Sequence, residues 1–215
     1  KQNYKNFLKK INLLDTVNFE LDEIGVPLNF NWNKCKLETV SYGHGITTTL
    51  LQAASAYASL INGGYLIKPT LKKNNTNLTE ERIISSETSL KIKKILRKVV
   101  TDEKGTASLA NVLGFQVSGK TGTSQYYNNE DKNINTFISY FVANKKDYIL
   151  LVMLDNPQIA SDLVYNYRGI KIKGTRNEAG WNSVYTAGKI IEKIGPILAI
   201  NNKEFHNNHV VKKVN

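Results

Sequence analysis

Residues 117–125, VSGKTGTSQ, place one lysine between two glycines and surround it with four hydroxyl side chains. An ammonium among hydroxyl donors can hold an anion, such as a carboxylate or a phosphate, and can help move a proton at a neighbouring group. The glycines carry information too. Phe115 to Ser124 alternates like a β-strand, and glycine weakens a strand unless something must approach its backbone. The stretch therefore predicts a strand along which a ligand lies, with Lys120 supplying positive charge.

Two motifs fit these residues. Gly114, four intervening residues and Gly119-Lys120-Thr121 satisfy G-x-x-x-x-G-K-[ST], the phosphate loop of nucleotide-binding proteins. ILLVMLD, ending in Asp155, matches the apolar strand and aspartate that hold magnesium in such proteins. The context argues against this motif. A phosphate loop follows a buried strand and opens a helix, whereas TASLANVL before Gly114 is no such strand. TSQYYNNEDKNINT after Gly122 has no helical periodicity. The second motif is the triplet Lys120-Thr121-Gly122 on a strand, the K-T-G that accompanies S-x-x-K in serine β-lactamases and penicillin-binding proteins.

Composition narrows the field. The chain has 215 residues, 41% hydrophobic and 22% charged, enough for a sizeable core. The net charge of +11 raises nucleic-acid binding. Arg82, Arg97, Arg168 and Arg176 are the only arginines, however, and the remaining positive charge is lysine spread along an asparagine-rich chain. That pattern is what an AT-rich genome encodes, so no nucleic-acid partner is expected. Cys35 is the only cysteine, which excludes an internal disulfide and a cysteine metal cluster. His44, His206 and His209 are too scattered for a metal site, and no cofactor is expected. No apolar run is long enough to span a bilayer.

The elements that must position the strand follow from periodicity. A short basic helix is predicted over 3–13, and irregular chain over 14–46. Thr49 and Gln52 have capping-box spacing, so a helix starts there, apolar on nearly every face, and stops before Gly63-Gly64. A short strand covers 65–71 and a polar loop 73–81. Residues 86–100 form an amphipathic helix with Leu90, Ile92, Ile95, Leu96 and Val99 inward. Strands are predicted over 115–124, 137–143 and 148–154, the last two as a hairpin. ILLVML does not alternate and is expected to be covered on both faces. A helix over 181–200 buries Val184, Ala187, Ile190, Ile191, Ile194 and Leu198, and a polar, frayed tail follows over 201–215. His44 and Trp181 are read as scaffold residues.

These segments, in order, carry a resemblance. SYGHGITTTLLQAASAYASLINGGYLIKPTL, ERIISSETSLKIKKILRKVVTDEKGTA, VSGKTGTSQ, YILLVMLDNP and AGWNSVYTAGKIIEKIGPIL resemble the C-terminal part of the transpeptidase domain of class B penicillin-binding proteins, and most closely the septal (cell-division) peptidoglycan D,D-transpeptidases. The resemblance runs from about Tyr4 to Leu198. It implies an α+β fold, an antiparallel sheet flanked by helices on both faces, with residues 1–200 forming part of one domain.

It also implies a reaction: peptidoglycan cross-linking by acyl transfer. A serine attacks the D-Ala-D-Ala end of a stem peptide, and an amine of a neighbouring strand takes the acyl group. β-Lactams mimic that end and block the serine. Family members use S-x-x-K for nucleophile and base, S-x-N for proton relay and K-T-G for substrate. No serine here is followed three places later by lysine or two places later by asparagine. The expectation is therefore a C-terminal portion whose nucleophile and N-terminal membrane anchor lie upstream, and which is inactive alone. By resemblance Lys120 holds the carboxylate and tunes the serine network, Gly122 lets the substrate approach, and the Thr121 and Thr123 hydroxyls bond the carboxylate. The Thr123 N–H completes the oxyanion hole. Stem peptides, β-lactams and membrane proteins of the division complex are the implied partners, at the periplasmic face of the bacterial inner membrane. Two rivals remain open: a D,D-carboxypeptidase or β-lactamase, and a catalytically inert β-lactam sensor or division scaffold.

Overall fold

The computed structural model describes residues 2–28, 32, 36–72, 78–126 and 129–210. They fall into two compact units, Lys1–Lys93 and Lys94–Asn215. Cys35 lies outside the described residues.

The first unit contains α1 (Gln2–Lys10), α2 (Lys36–Ser41), α3 (Leu50–Ile61), β1 (Tyr65–Ile67), β2 (Leu78–Arg82) and the start of α4 (Ser86–Thr101). Its core joins Leu8, Ile11, Val40 and Ala56. The capping box forms as its spacing predicts. The Thr49 hydroxyl accepts from the Gln52 N–H at 3.1 Å, and the Gln52 side chain accepts from the Thr49 N–H at 2.8 Å. Gly63 and Gly64, at φ +94° and +91°, take the chain out of α3. Burial of α3 is not all round, because Leu50 is 46% exposed. Inside the helix, Ser55 and Ser59 are satisfied by donating one turn back, to the carbonyls of Leu51 and Ser55.

The predicted polar loop over 73–81 is corrected at its end. Residues 73–77 lie outside the described ones, but 78–82 form β2, antiparallel to β1 with Tyr65 opposite Arg82. Arg82 explains how polar chain joins a sheet: its guanidinium lies 4.3 Å from the Tyr65 ring centroid and donates to the Gly63 carbonyl at 3.1 Å. α2 also departs from the expected irregular stretch.

The second unit holds the rest of α4, a 3₁₀ turn over Ser108–Ala110, β3 (Ser118–Tyr126), β4 (Asn129–Ala143), β5 (Lys146–Asp155), β6 (Val164–Tyr167), β7 (Ile170–Lys173) and α5 (Ser183–Val210). β3, β4 and β5 form an antiparallel sheet in that order, and β6 and β7 a separate hairpin. The expected β4–β5 hairpin turns at Asn144 and Lys145, both at positive φ, the backbone that matches strand twist. β6–β7 was not legible, since it turns at Arg168-Gly169, a weaker signal than Asn-Gly.

α5 buries Val184, Ala187 and Ile191 in one core with Phe137, Phe141 and Val152, while Ile190, Ile194 and Leu198 pack against it partly buried. Its helical backbone continues past the expected end at 200, as far as Val210, and 211–215 lie outside the described residues. Three further expectations change. β5 is not covered on both faces among the described residues: Val152 is buried but Met153, on the opposite face, is 44% exposed. β3 begins at Ser118, because Gly114 at φ +85° turns the chain and Phe115 packs edge-on to Phe141 at 6.1 Å. In α4 the inward stripe runs through Ser89, Leu96 and Val100, which leaves Leu90 and Ile95 exposed.

Candidate active-site strand

β3 contains the K-T-G stretch, and its entry is fixed from α4. Arg97 donates to the Val117 carbonyl and, at 3.0 Å, to Asn111 Oδ1, so the strand is held one residue before it starts. Partial burial pulls the Arg97 pKa below the ordinary guanidinium value. Among the described residues, β4 is the one strand paired with β3. No strand among the described residues pairs with the other edge of β3, the kind of edge to which an extended peptide can add.

The phosphate-loop arrangement does not form. Lys120 and Thr121 sit within β3, pairing with Ile138 and Phe137, and the chain after Thr121 continues as strand to Tyr126. Asp155, the candidate magnesium ligand, instead accepts from the Tyr126 hydroxyl, which raises the tyrosine pKa.

Strand alternation divides the motif between two faces. Lys120 and Gly122 lie on one, Thr121 and Thr123 on the other. The Lys120 ammonium is exposed and donates to the carbonyl of Thr121 at 2.8 Å. The Thr121 hydroxyl bonds that of Thr106 at 3.0 Å. Thr121 and Thr123 line an open cleft of about 350 Å³, whose walls come from residues 103–106, from Tyr167 and from residues 176–181. Lys120 is not among its lining residues.

The two glycines differ in what excludes a side chain. A Cβ on Gly119 would meet the Ile138 carbonyl oxygen and the Phe137 ring at 2.6 Å, so this glycine is required by the protein's own packing. A Cβ on Gly122 would meet only Thr136, at an ordinary 3.8 Å. The expectation that a ligand explains both glycines is corrected for Gly119.

A family comparison accounts for this strand. Residues 1–175 match the penicillin binding protein transpeptidase domain. The chain belongs to the penicillin-binding protein transpeptidase family. Relatives include the probable peptidoglycan D,D-transpeptidase FtsI of Caulobacter vibrioides, 29% identical over 94% of this chain and 35% of the relative. The probable peptidoglycan D,D-transpeptidase PenA of Neisseria flavescens is 32% identical over 59% of this chain and 32% of its own length. The chain thus spans about a third of these relatives. The fold is shared with the TP domain of Burkholderia pseudomallei penicillin-binding protein 3, with a TM-score of 0.73 and 22% identity, over 91% of this chain and 57% of that one. The expected α+β transpeptidase fold is thereby found.

Around the cleft stand side chains to which the sequence assigned no site role. Trp181, read as scaffold, stacks on Tyr167 at 5.2 Å and meets Tyr165 edge-on at 5.4 Å. Arg176 lies 5.7 Å from the Trp181 ring centroid and 3.3 Å from Glu178. Arg168 lies over Tyr167 and donates to the Asp102 carbonyl, which ties the β6–β7 turn to the end of α4. Nothing local marks these side chains, because Trp181 reads as the approach to a helix. His44 is an exposed residue between Gly43 and Gly45, its ring 6.3 Å from that of Tyr42, so burial does not support a scaffold role. Among the described residues, no group of His, Cys, Asp and Glu could hold a metal ion, and no helix is long and apolar enough to cross a membrane.

Proposed function

We propose that β3 is the substrate-binding strand of a class B, septal peptidoglycan D,D-transpeptidase, working with a serine nucleophile that lies outside residues 1–215. The observation that carries this reading is the open edge of β3 at Gly122. A stem peptide or β-lactam pairs with the strand edge there, and only a glycine leaves both faces of the edge accessible. An edge-bound ligand also reconciles the two faces of the motif, since it reaches Lys120 on one side and the Thr121 and Thr123 hydroxyls on the other.

In this reading the serine oxygen attacks the carbonyl carbon of D-Ala-D-Ala, and the terminal D-alanine leaves with the proton. The acyl group then passes to an amine. Lys120 swings from the Thr121 carbonyl toward the substrate carboxylate and the serine network. Thr121 and Thr123 donate to that carboxylate, and the Thr123 N–H donates to the developing oxyanion. Such a donor contributes about 3–4 kcal/mol in typical acyl-transfer enzymes.

We take residues 1–200 as part of one transpeptidase domain and 201–215 as a polar tail. The protein would act at the periplasmic face of the inner membrane, on an N-terminal anchor, beside membrane proteins of the division complex. The match of residues 1–175 to the transpeptidase domain and the relatives' names support the transpeptidase reading itself. Labelling with fluorescent penicillin tests it. The full-length gene product should form a covalent adduct, and residues 1–215 alone should not. A full-length protein that stays unlabelled at saturating penicillin, though folded, would overturn the reading.

A further inference from the structure

The second unit contains a buried amide that the proposed chemistry does not use. Asn135 lies in the central strand β4, is 0% exposed, and stands directly opposite Thr123. Side chains directly opposite in an antiparallel pair share a sheet face, so Asn135 lies on the cleft side of the sheet. Its Nδ2 donates to the carbonyl of Asn177 at 2.6 Å. Its Oδ1 has no hydrogen-bond partner among the described residues. A buried amide left half-satisfied is costly, so the bond it does make has to justify its place in the core.

That bond ends on the segment that walls the cleft. Asn182 Nδ2 donates to the same Asn177 carbonyl at 3.1 Å and to Asn177 Oδ1 at 3.1 Å. Asn177 Nδ2 donates in turn to the Pro157 carbonyl at 2.6 Å, beyond the end of β5. Asn182 Oδ1 accepts from the Ser183 N–H at 2.6 Å, where α5 begins. β4 and the start of α5 are thereby tied to the Asn177 carbonyl, and the chain after β5 to the Asn177 side chain. On either side of that carbonyl lie Arg176 and Glu178, with Trp181 four residues on, all lining the cleft with Thr121 and Thr123.

We propose that Asn135 is a positioning residue for ligand binding: through the Asn177 carbonyl it sets how far the 176–181 wall stands from Thr123. This rests on the reading of β3 as the substrate-binding strand. Asn135 touches no reacting atom. It acts by fixing the width of the space in which the ligand's carboxylate-bearing part is held.

The test separates binding from chemistry. In the full-length protein, Asn135→Leu keeps the branched shape and removes the donor. Saturation kinetics with fluorescent penicillin should show non-covalent binding weakened about tenfold, with the first-order acylation constant changed far less. Amide hydrogen exchange should quicken across 176–182 while the β3 and β4 amides keep their protection. A wild-type dissociation constant together with wild-type exchange at 176–182 overturns the proposal. So does a uniform loss of protection with unchanged binding, the mark of a purely structural amide. If Asn135→Leu does not fold, Asn182→Ala removes the second donor to the same carbonyl and should shift binding and exchange in the same direction, less strongly; no shift in either overturns the proposal. A wild-type protein that never acylates defeats the substrate-strand reading instead, and the exchange measurement still decides whether Asn135 holds the wall.

Discussion

Gly119 and Gly122 flank the same lysine on the same strand, yet their surroundings differ. At Gly119 the Phe137 ring and the Ile138 carbonyl fill the space a side chain would need. At Gly122 the space is open among the described residues, with Thr136 at an ordinary contact distance. The strand changes character between them. Ser118 and Gly119 are buried in the end that Arg97 clamps, while Lys120 and residues 122–125 are exposed. One half of β3 is anchorage and the other half is presentation, and a motif read as a unit hides the difference.

The sharpest way to probe that contrast is the residue at its boundary. In the full-length protein, Lys120→Ala should slow acylation by penicillin by about 10²-fold or more, because charge-assisted contacts and proton-transfer groups contribute on that scale. Its melting temperature should barely move, since the side chain is exposed and, among the described residues, bonds the neighbouring Thr121 carbonyl. Lys120→Arg should recover part of the rate, because a planar fork does not occupy the place of a compact ammonium. A wild-type acylation rate for Lys120→Ala would make the lysine a bystander.

The glycines should then separate by the kind of loss. Gly119→Ala should destabilise by about 1–3 kcal/mol, the usual cost of overpacking, as measured by chemical denaturation. Gly122→Ala should leave stability within about 0.5 kcal/mol of wild type and weaken penicillin acylation about tenfold by crowding the edge. If the two substitutions cost equal stability, the division of the strand into anchored and presenting halves is wrong.

Thr123→Val is the mildest probe. It removes a hydroxyl and keeps the backbone N–H, so acylation should fall only several-fold, near the 0.5–1.5 kcal/mol of a typical hydrogen bond. A loss as large as that of Lys120→Ala would move the main carboxylate contact from the lysine to the cleft face.

Much of the site was legible because its signals are local. K-T-G within an alternating stretch, the Thr49–Gln52 capping box and the apolar spacing of α5 each depend on residues within a few turns or along one strand. The errors share a cause as well. Leu90 and Ile95 fit a helical stripe by spacing, but which stripe faces inward is set by what packs there. β2 joined a sheet despite its polar composition because Arg82 and Tyr65 gave it a cross-strand partner.

By itself, then, the sequence determined that an ammonium, two hydroxyls and a glycine would lie on one strand, and its ordered segments pointed to the transpeptidase family. Strand periodicity and capping are short-range physics, so a single chain can be read for them. Only the tertiary structure decided that Phe137 closes Gly119, that Thr121 and Thr123 line a cleft from which Lys120 is absent, and that Trp181 and Asn135 stand on the Thr123 side. Those are contacts between residues distant along the chain. They depend on strand register and on how loops return over the sheet, and neither leaves a periodic trace in the residues that make them.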